Sequence, residues 1–200
     1  MAAAILLVVV LALAAGAAVA ISKRPRTERI DPFTLQDPWR TMVRKAQSTA
    51  TRFDDAVRKT RPGPLRDRLA EVGRRVSTAV DEAWAIAKRG HALDKAVQEL
   101  RIGDTRRRLA ELDQGGDPAV TQSLRAQLES GERIAGVAAD ARTRLQRLNA
   151  ELDEAVARAI ELSVSAADAG ALQPLGADLD NVVGELESLR LALEETASGG

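Results

Sequence analysis

Side chains that could move protons or hold a metal are sparse in this chain, and their spacing is that of solvated helix faces. His91 is the only histidine and there is no cysteine. No His-based metal cluster or thiolate site can therefore be assembled, and disulfides and cysteine nucleophiles are excluded. A Ser-His-Asp relay would depend wholly on His91, which lies in the charged run KRGHALDK and reads as a solvated helix residue. Carboxylate pairs occur at Asp81-Glu82, Asp153-Glu154 and Glu194-Glu195, with arginines nearby. That is the pattern of a salt-bridged exposed face. Neither GxGxxG nor GxxxxGK[ST] is present, so no phosphate-cradling loop is expected. The reading is a non-enzymatic chain with no catalytic residue, no cofactor, no metal and no small-molecule substrate.

Arg74-Arg75 and the run Arg106, Arg107, Arg108 could meet phosphates. Aromatic residues make up only 2% of the chain and none interleaves with these arginines, so base stacking has no platform. Nucleic acid is not an expected partner. Pairing with acidic side chains of the same chain is the simpler account, and the charge distribution invites it. Residues 23–108 carry 22 basic and 12 acidic side chains, whereas residues 109–200 carry 7 and 17. A net charge of zero thus hides a basic half and an acidic half. The halves can fold onto one another, or the basic half can lie near anionic lipid headgroups. Arg outnumbers Lys by 24 to 5 amid abundant Ala, a usage that points to a high-GC bacterial genome.

The elements that position these groups begin with residues 2–22, AAAILLVVVLALAAGAAVAIS, which contain no charged side chain. As a helix rising 1.5 Å per residue they would span about 31 Å, enough for a hydrocarbon core of about 30 Å. Lys23, Arg24, Arg26 and Arg29 follow at once. By the positive-inside rule they hold the following chain in the cytoplasm with the N-terminus outside. The rival is a signal peptide cleaved after Ala20, since Ala18-Val19-Ala20 has the small-x-small form. Against it stand the lack of Lys or Arg before the apolar run and the basic cluster just after it. Residues 23–37 form a basic, Pro-containing linker. Beyond its prolines, Phe33 and Trp39 are expected either as interfacial anchors at the headgroups or as staples onto the first helix.

The remainder reads as helix throughout. Asp37-Pro38 looks like an N-cap followed by Pro at the first helical position, opening a short helix over 38–60 that stops at Pro62-Gly63-Pro64. A long helix is expected over 65–113. Its alternating 4–3 seam runs Leu65, Leu69, Val72, Val76, Ala79, Ala83, Ile86, Gly90, Leu93, Val97 and Leu100, with Gly90 its weak point and a slip of phase near Ile102. Trp84, beside Ala83, reads as a packing residue. Gly115 and Gly116 mark a turn over 114–118, and Asp117-Pro118 opens a second long helix over 119–168. Its seam includes Ile134, Ala138, Ala141, Leu145, Leu148, Leu152, Ala155, Ala159 and Leu162. A C-terminal helix over 172–197 carries one stripe of Leu172, Leu175, Leu179, Val182, Leu186, Leu189 and Leu193.

Two arms of matched length joined by a Gly-Gly turn are what an antiparallel coiled-coil hairpin requires. The expected fold is all-α, with a transmembrane helix in residues 1–22, this elongated hairpin, and two shorter helices meeting at its base. Ala-rich seams bury little area, so a second copy or another helical protein is an expected partner alongside the lipid bilayer. The layout is similar to that of bacterial division-site regulators with a single N-terminal anchor. That likeness is one of topology and carries no residue over. The expected role is a single-pass membrane-anchored scaffold at the cytoplasmic face. A peripheral lipid-surface protein of the membrane-stress kind and a secreted helical protein are the alternatives.

Overall fold

The structure, a computed structural model, describes residues 29–112, 116–165 and 169–198. The expected anchor in residues 1–22, with Lys23, Arg24 and Arg26, lies outside the described residues. Among those described, the chain is all-α, with no strand. A single 3-10 turn, Pro32–Thr34, precedes α1 (Trp39–Lys59) and α2 (Pro64–Glu99). Then come α3 (Ile102–Leu112), α4 (Pro118–Val164), a second 3-10 turn and α5 (Gln173–Ser198). No helix among the described residues is long and apolar enough to cross a membrane.

Local chemistry explains the breaks. Gly63 takes φ 150°, a conformation open to glycine, and Pro64 starts α2 where its missing N–H costs nothing. Asp117 caps α4, its carboxylate accepting from the Ala119 N–H at 2.9 Å. At α1 the expected cap is displaced. Pro38 occupies the cap position, and the Asp37 carboxylate instead accepts from Thr41 Oγ1 at 2.6 Å.

The single arm expected over 65–113 is two helices. α2 ends at Glu99 and Arg101 adopts φ 47°, after which the Asp104 and Thr105 N–H groups restart the ladder on the Arg101 carbonyl. The helix breaks where the 4–3 seam loses phase. Leu100, read as the last seam position of that arm, is consequently 40% exposed, because the break turns it out of the packed row.

Interhelix contacts give the topology. α2 and α3 in succession run antiparallel to α4, with Asp94 of α2 opposite Arg142 and Arg106 of α3 opposite Glu132. α1 packs on α2 and α4, antiparallel to the former and parallel to the latter. α5 also packs on both, parallel to α2 and antiparallel to α4. The result is a four-helix body in which the α2–α4 pair is flanked by α1 and α5. Beyond it, α3 pairs with the first part of α4 alone. With 47 residues, α4 is about 70 Å long and serves both regions.

The body holds the core. Leu69, Val72, Val76, Ile86, Leu145, Leu148, Leu152, Leu179, Val182, Leu186, Leu189 and Leu193 are buried, joined by Trp39 and Phe53 from α1. Leu65, Leu93, Val97, Ile134 and Leu162 are half-buried. In the two-helix tip, Ile102, Leu109, Leu124 and Leu128 are only half-buried, and among α4 residues before Ala138 only Gly131 is buried. The same spacing of apolar residues thus yields a filled core only where α1 and α5 cover it.

Candidate interaction surface

The most developed polar assembly in the described structure holds the start of α1 to the body. Trp39, which could have sat among lipid headgroups, is fully buried. Its indole fills the space above Gly90, where a Cβ would lie 2.6 Å from Cζ3 and closer still to two other ring carbons. Gly90 is therefore a socket, and the apparent weak point of the seam is what admits the ring. Trp39 Nε1 donates to Asp94 Oδ2 at 2.6 Å. Arg142 Nη2 donates to both oxygens of the same carboxylate, at 3.0 and 2.9 Å, while its guanidinium lies 5.6 Å from the indole centroid. One carboxylate satisfies an indole and a cation, and the cation also faces the ring. Three helices meet at this point, which corrects the interfacial reading of Trp39. Phe33, by contrast, is 76% exposed.

Two further polar contacts fix α1 against α4. Asn149 Nδ2 donates to the Met42 carbonyl at 3.1 Å inside the core. Thr49 Oγ1 donates to Asp153 Oδ1 at 2.9 Å, and Arg52 pairs with the same carboxylate. Burial opposes ionisation of Asp153, but the Thr49 hydrogen bond and the Arg52 charge outweigh it and hold the carboxyl below the usual range. On the opposite flank Arg190 bridges Glu82 and Glu194, each at 2.8 Å, and Arg89 reaches Glu194 at 3.0 Å. Burial likewise opposes ionisation of Glu194, and Arg190 with Arg89 reverses the effect, so its pKa is lowered.

The groups singled out from sequence are thus dispersed. Asp153 and Glu82 belong to these helix-joining contacts, and Glu154 pairs with Arg158 on its own helix. Arg75 reaches Asp180 at 2.5 Å, Arg106 reaches Glu132 at 2.7 Å, and Arg107 pairs with Asp104. Arg52, Arg75, Arg89 and Arg106, all from the basic half, pair with carboxylates of the acidic half. His91 is half-buried beside the Gly90 socket. Trp84 is buried with its Nε1 unpartnered and the Lys88 ammonium 5.3 Å from its ring centroid.

The Trp39–Asp94–Arg142 group escapes sequence reasoning because its members lie on three separate helices. The available signal was Gly90, a glycine in an otherwise apolar seam of a chain with only two Trp.

Among the open clefts beside the described body are two between helices. One of about 440 Å³ lies between α2 and the start of α5, lined by Arg68, Glu71, Arg75 and Gln173. The other, of about 570 Å³, lies between the C-terminal ends of α1 and α4, lined by Arg52, Lys59, Ile160 and Val164. Among the described residues no group of three or more His, Asp or Glu side chains is arranged to hold a metal. No protein-family model matches the chain, and neither the curated proteins nor the solved structures contain a detectable match. The chemistry present in the geometry is the joining of helices, and the surfaces it leaves open are those of a helical bundle with a two-helix protrusion.

Proposed function

We propose that this chain is a non-enzymatic, single-pass membrane-anchored scaffold whose helical part binds another helical protein or a second copy at the cytoplasmic face of a bacterial membrane. One observation carries the reading. Residues 2–22 are uncharged and are followed at once by Lys23, Arg24, Arg26 and Arg29, the pattern of a membrane span with a cytoplasmic basic flank. The helix-rich body, held by interhelix ion pairs, supports a scaffold of defined shape. The filled core of the body and the half-buried apolar residues of the two-helix tip support placing the partner contact at the tip.

A reporter fused after Gly200, read with cross-linking and mass spectrometry in intact membranes, tests the proposal. The expected result is a cytoplasmic signal, retention in the membrane fraction and a cross-linked helical partner. A chain found only as lone monomers would count against the scaffold. Ala18-Val19-Ala20 favours a second reading, release after Ala20. A native mass beginning at Ile21 would establish that reading and remove the anchored one.

A further inference from the structure

We infer that two copies of this chain join through the two-helix tip, α3 with the first part of α4, antiparallel about a two-fold axis that crosses it. The inference rests on the scaffold reading above and names its partner at the tip as a second copy.

The tip has a closed flank and an open one. Its seam comprises Ile102, Thr105, Leu109 and Leu112 on α3, facing Leu124, Leu128 and Gly131 on α4. Arg106 and Glu132, each just after a seam position, meet at 2.7 Å and close one flank. Residues just before seam positions form the other, and because the helices run antiparallel both sets lie on one side of the tip. On α3 these are Arg101 and Arg108, with Asp104 and Glu111 next to them in the helical repeat. The four make a single row of alternating charge. Arg101, Arg108 and Glu111 are exposed and form no ion pair among the described residues, while Asp104 pairs with Arg107 of its own helix. On α4 the open flank is the row Val120, Ser123, Gln127, Ser130 and Ile134, which carries no charge. Val120 in it is 46% exposed.

Both rows are complementary to themselves when reversed. An antiparallel second copy sets Arg101 against its Glu111 and Asp104 against its Arg108, and the two-fold axis repeats each contact. The midpoint of that exchange is residue 106. On α4 the same operation sets Val120 against Ile134 and Ser123 against Ser130, with Gln127 beside its own counterpart. The packing within one chain makes the two midpoints level. Ile102 Cδ1 lies 2.8 Å from where a Gly131 Cβ would stand. Four residues on along α3 and four back along α4, residue 106 is level with residue 127. One axis therefore serves both rows. Mixed charge at the tip is what a surface that meets itself requires. Exposed ion pairs set the register and contribute little energy; covering Val120, Ile134 and the half-buried leucines of the seam supplies the attraction.

The chain has no cysteine, so one introduced thiol reports on the axis. Gln127→Cys places a thiol beside its own counterpart. Gln122→Cys, equally exposed on α4, lies five residues from the axis and around the helix from the open flank. In membranes carrying the full-length chain, mild oxidation should link Gln127→Cys into disulfide dimers several-fold more than Gln122→Cys. Arg101→Glu, added to the Gln127→Cys chain, brings like charges together and should lower the linking several-fold. Adding Glu111→Arg as well restores opposite charges at both equivalent contacts and should restore the dimer.

Equal linking at the two thiol positions, or none at Gln127→Cys, overturns the inference. Linking that Arg101→Glu leaves undiminished, or a loss that Glu111→Arg does not recover, overturns the charge-paired two-fold. A photoactivatable maleimide on the same thiols separates this inference from the scaffold reading. Capture of a different protein and not of a second copy defeats the inference alone. Capture of nothing defeats both.

Discussion

α4 passes through two environments, and the contrast between them is informative. From Ala138 onward its apolar face meets α1, α2 and α5, and Leu145, Leu148 and Leu152 are buried. Ahead of Ala138, where α3 packs on it, Leu124, Leu128 and Ile134 are only half-buried. The helical repeat hardly changes along its length. What changes is the number of helices that cover it, so stability is concentrated in the body and the tip is left thin.

Substitutions can break this comparison in order of size. Trp39→Ala should have the largest effect. It empties the Gly90 socket and leaves Asp94 and Arg142 without the indole, a loss of about 3–5 kcal/mol of unfolding free energy, measurable by chemical denaturation. Leu152→Ala in the body should cost about 2–5 kcal/mol, whereas Leu128→Ala on the same helix should cost less than about 1 kcal/mol. Similar losses at the two positions would erase the distinction between body and tip.

Two buried glycines sharpen it. Gly90→Ala drives a Cβ into the rigid Trp39 ring and should cost about 1–3 kcal/mol. Gly131→Ala meets the Ile102 side chain at 2.8 Å and Leu100 Cδ1 at 3.7 Å, both at the thinly covered tip, and a helix gains from Ala over Gly. The net change there should stay within about 0.5 kcal/mol, read from paired thermal unfolding curves.

The smallest effect is electrostatic. Asp153 has a lowered pKa in the folded state, so its contribution to stability is present above the ordinary carboxylate value of 3.8 and is lost as pH falls through the lower folded value. Asp153→Asn should therefore lower the unfolding midpoint slightly at neutral pH and make no difference in strong acid. An unchanged gap across that range would show that Thr49 and Arg52 do not act through the carboxylate charge.

The all-helical class was legible because the apolar repeats, the Pro-Gly breaks and the near absence of aromatics all point the same way. Asp117 shows how far local chemistry reaches, since a cap and its proline are neighbours in sequence. Asp37 shows where it stops. The same dipeptide there does not cap α1, because Thr41 takes its carboxylate. Trp39 and Gly90 show the limit most clearly. Fifty-one positions apart, they explain each other only once α1 lies against α2, and a lone Trp near a membrane linker is otherwise equally suited to lipid. The break at Leu100 was visible as a slip of phase, but only the backbone reveals Arg101 at positive φ and Leu100 turned outward.

Amide hydrogen exchange along α4 of the full-length chain tests the division into body and tip most directly. Amides of residues 141–159 should exchange at least about 100-fold more slowly than those of residues 122–132, since the former open only with the body and the latter with the tip. Uniform protection from one end of α4 to the other would contradict the account.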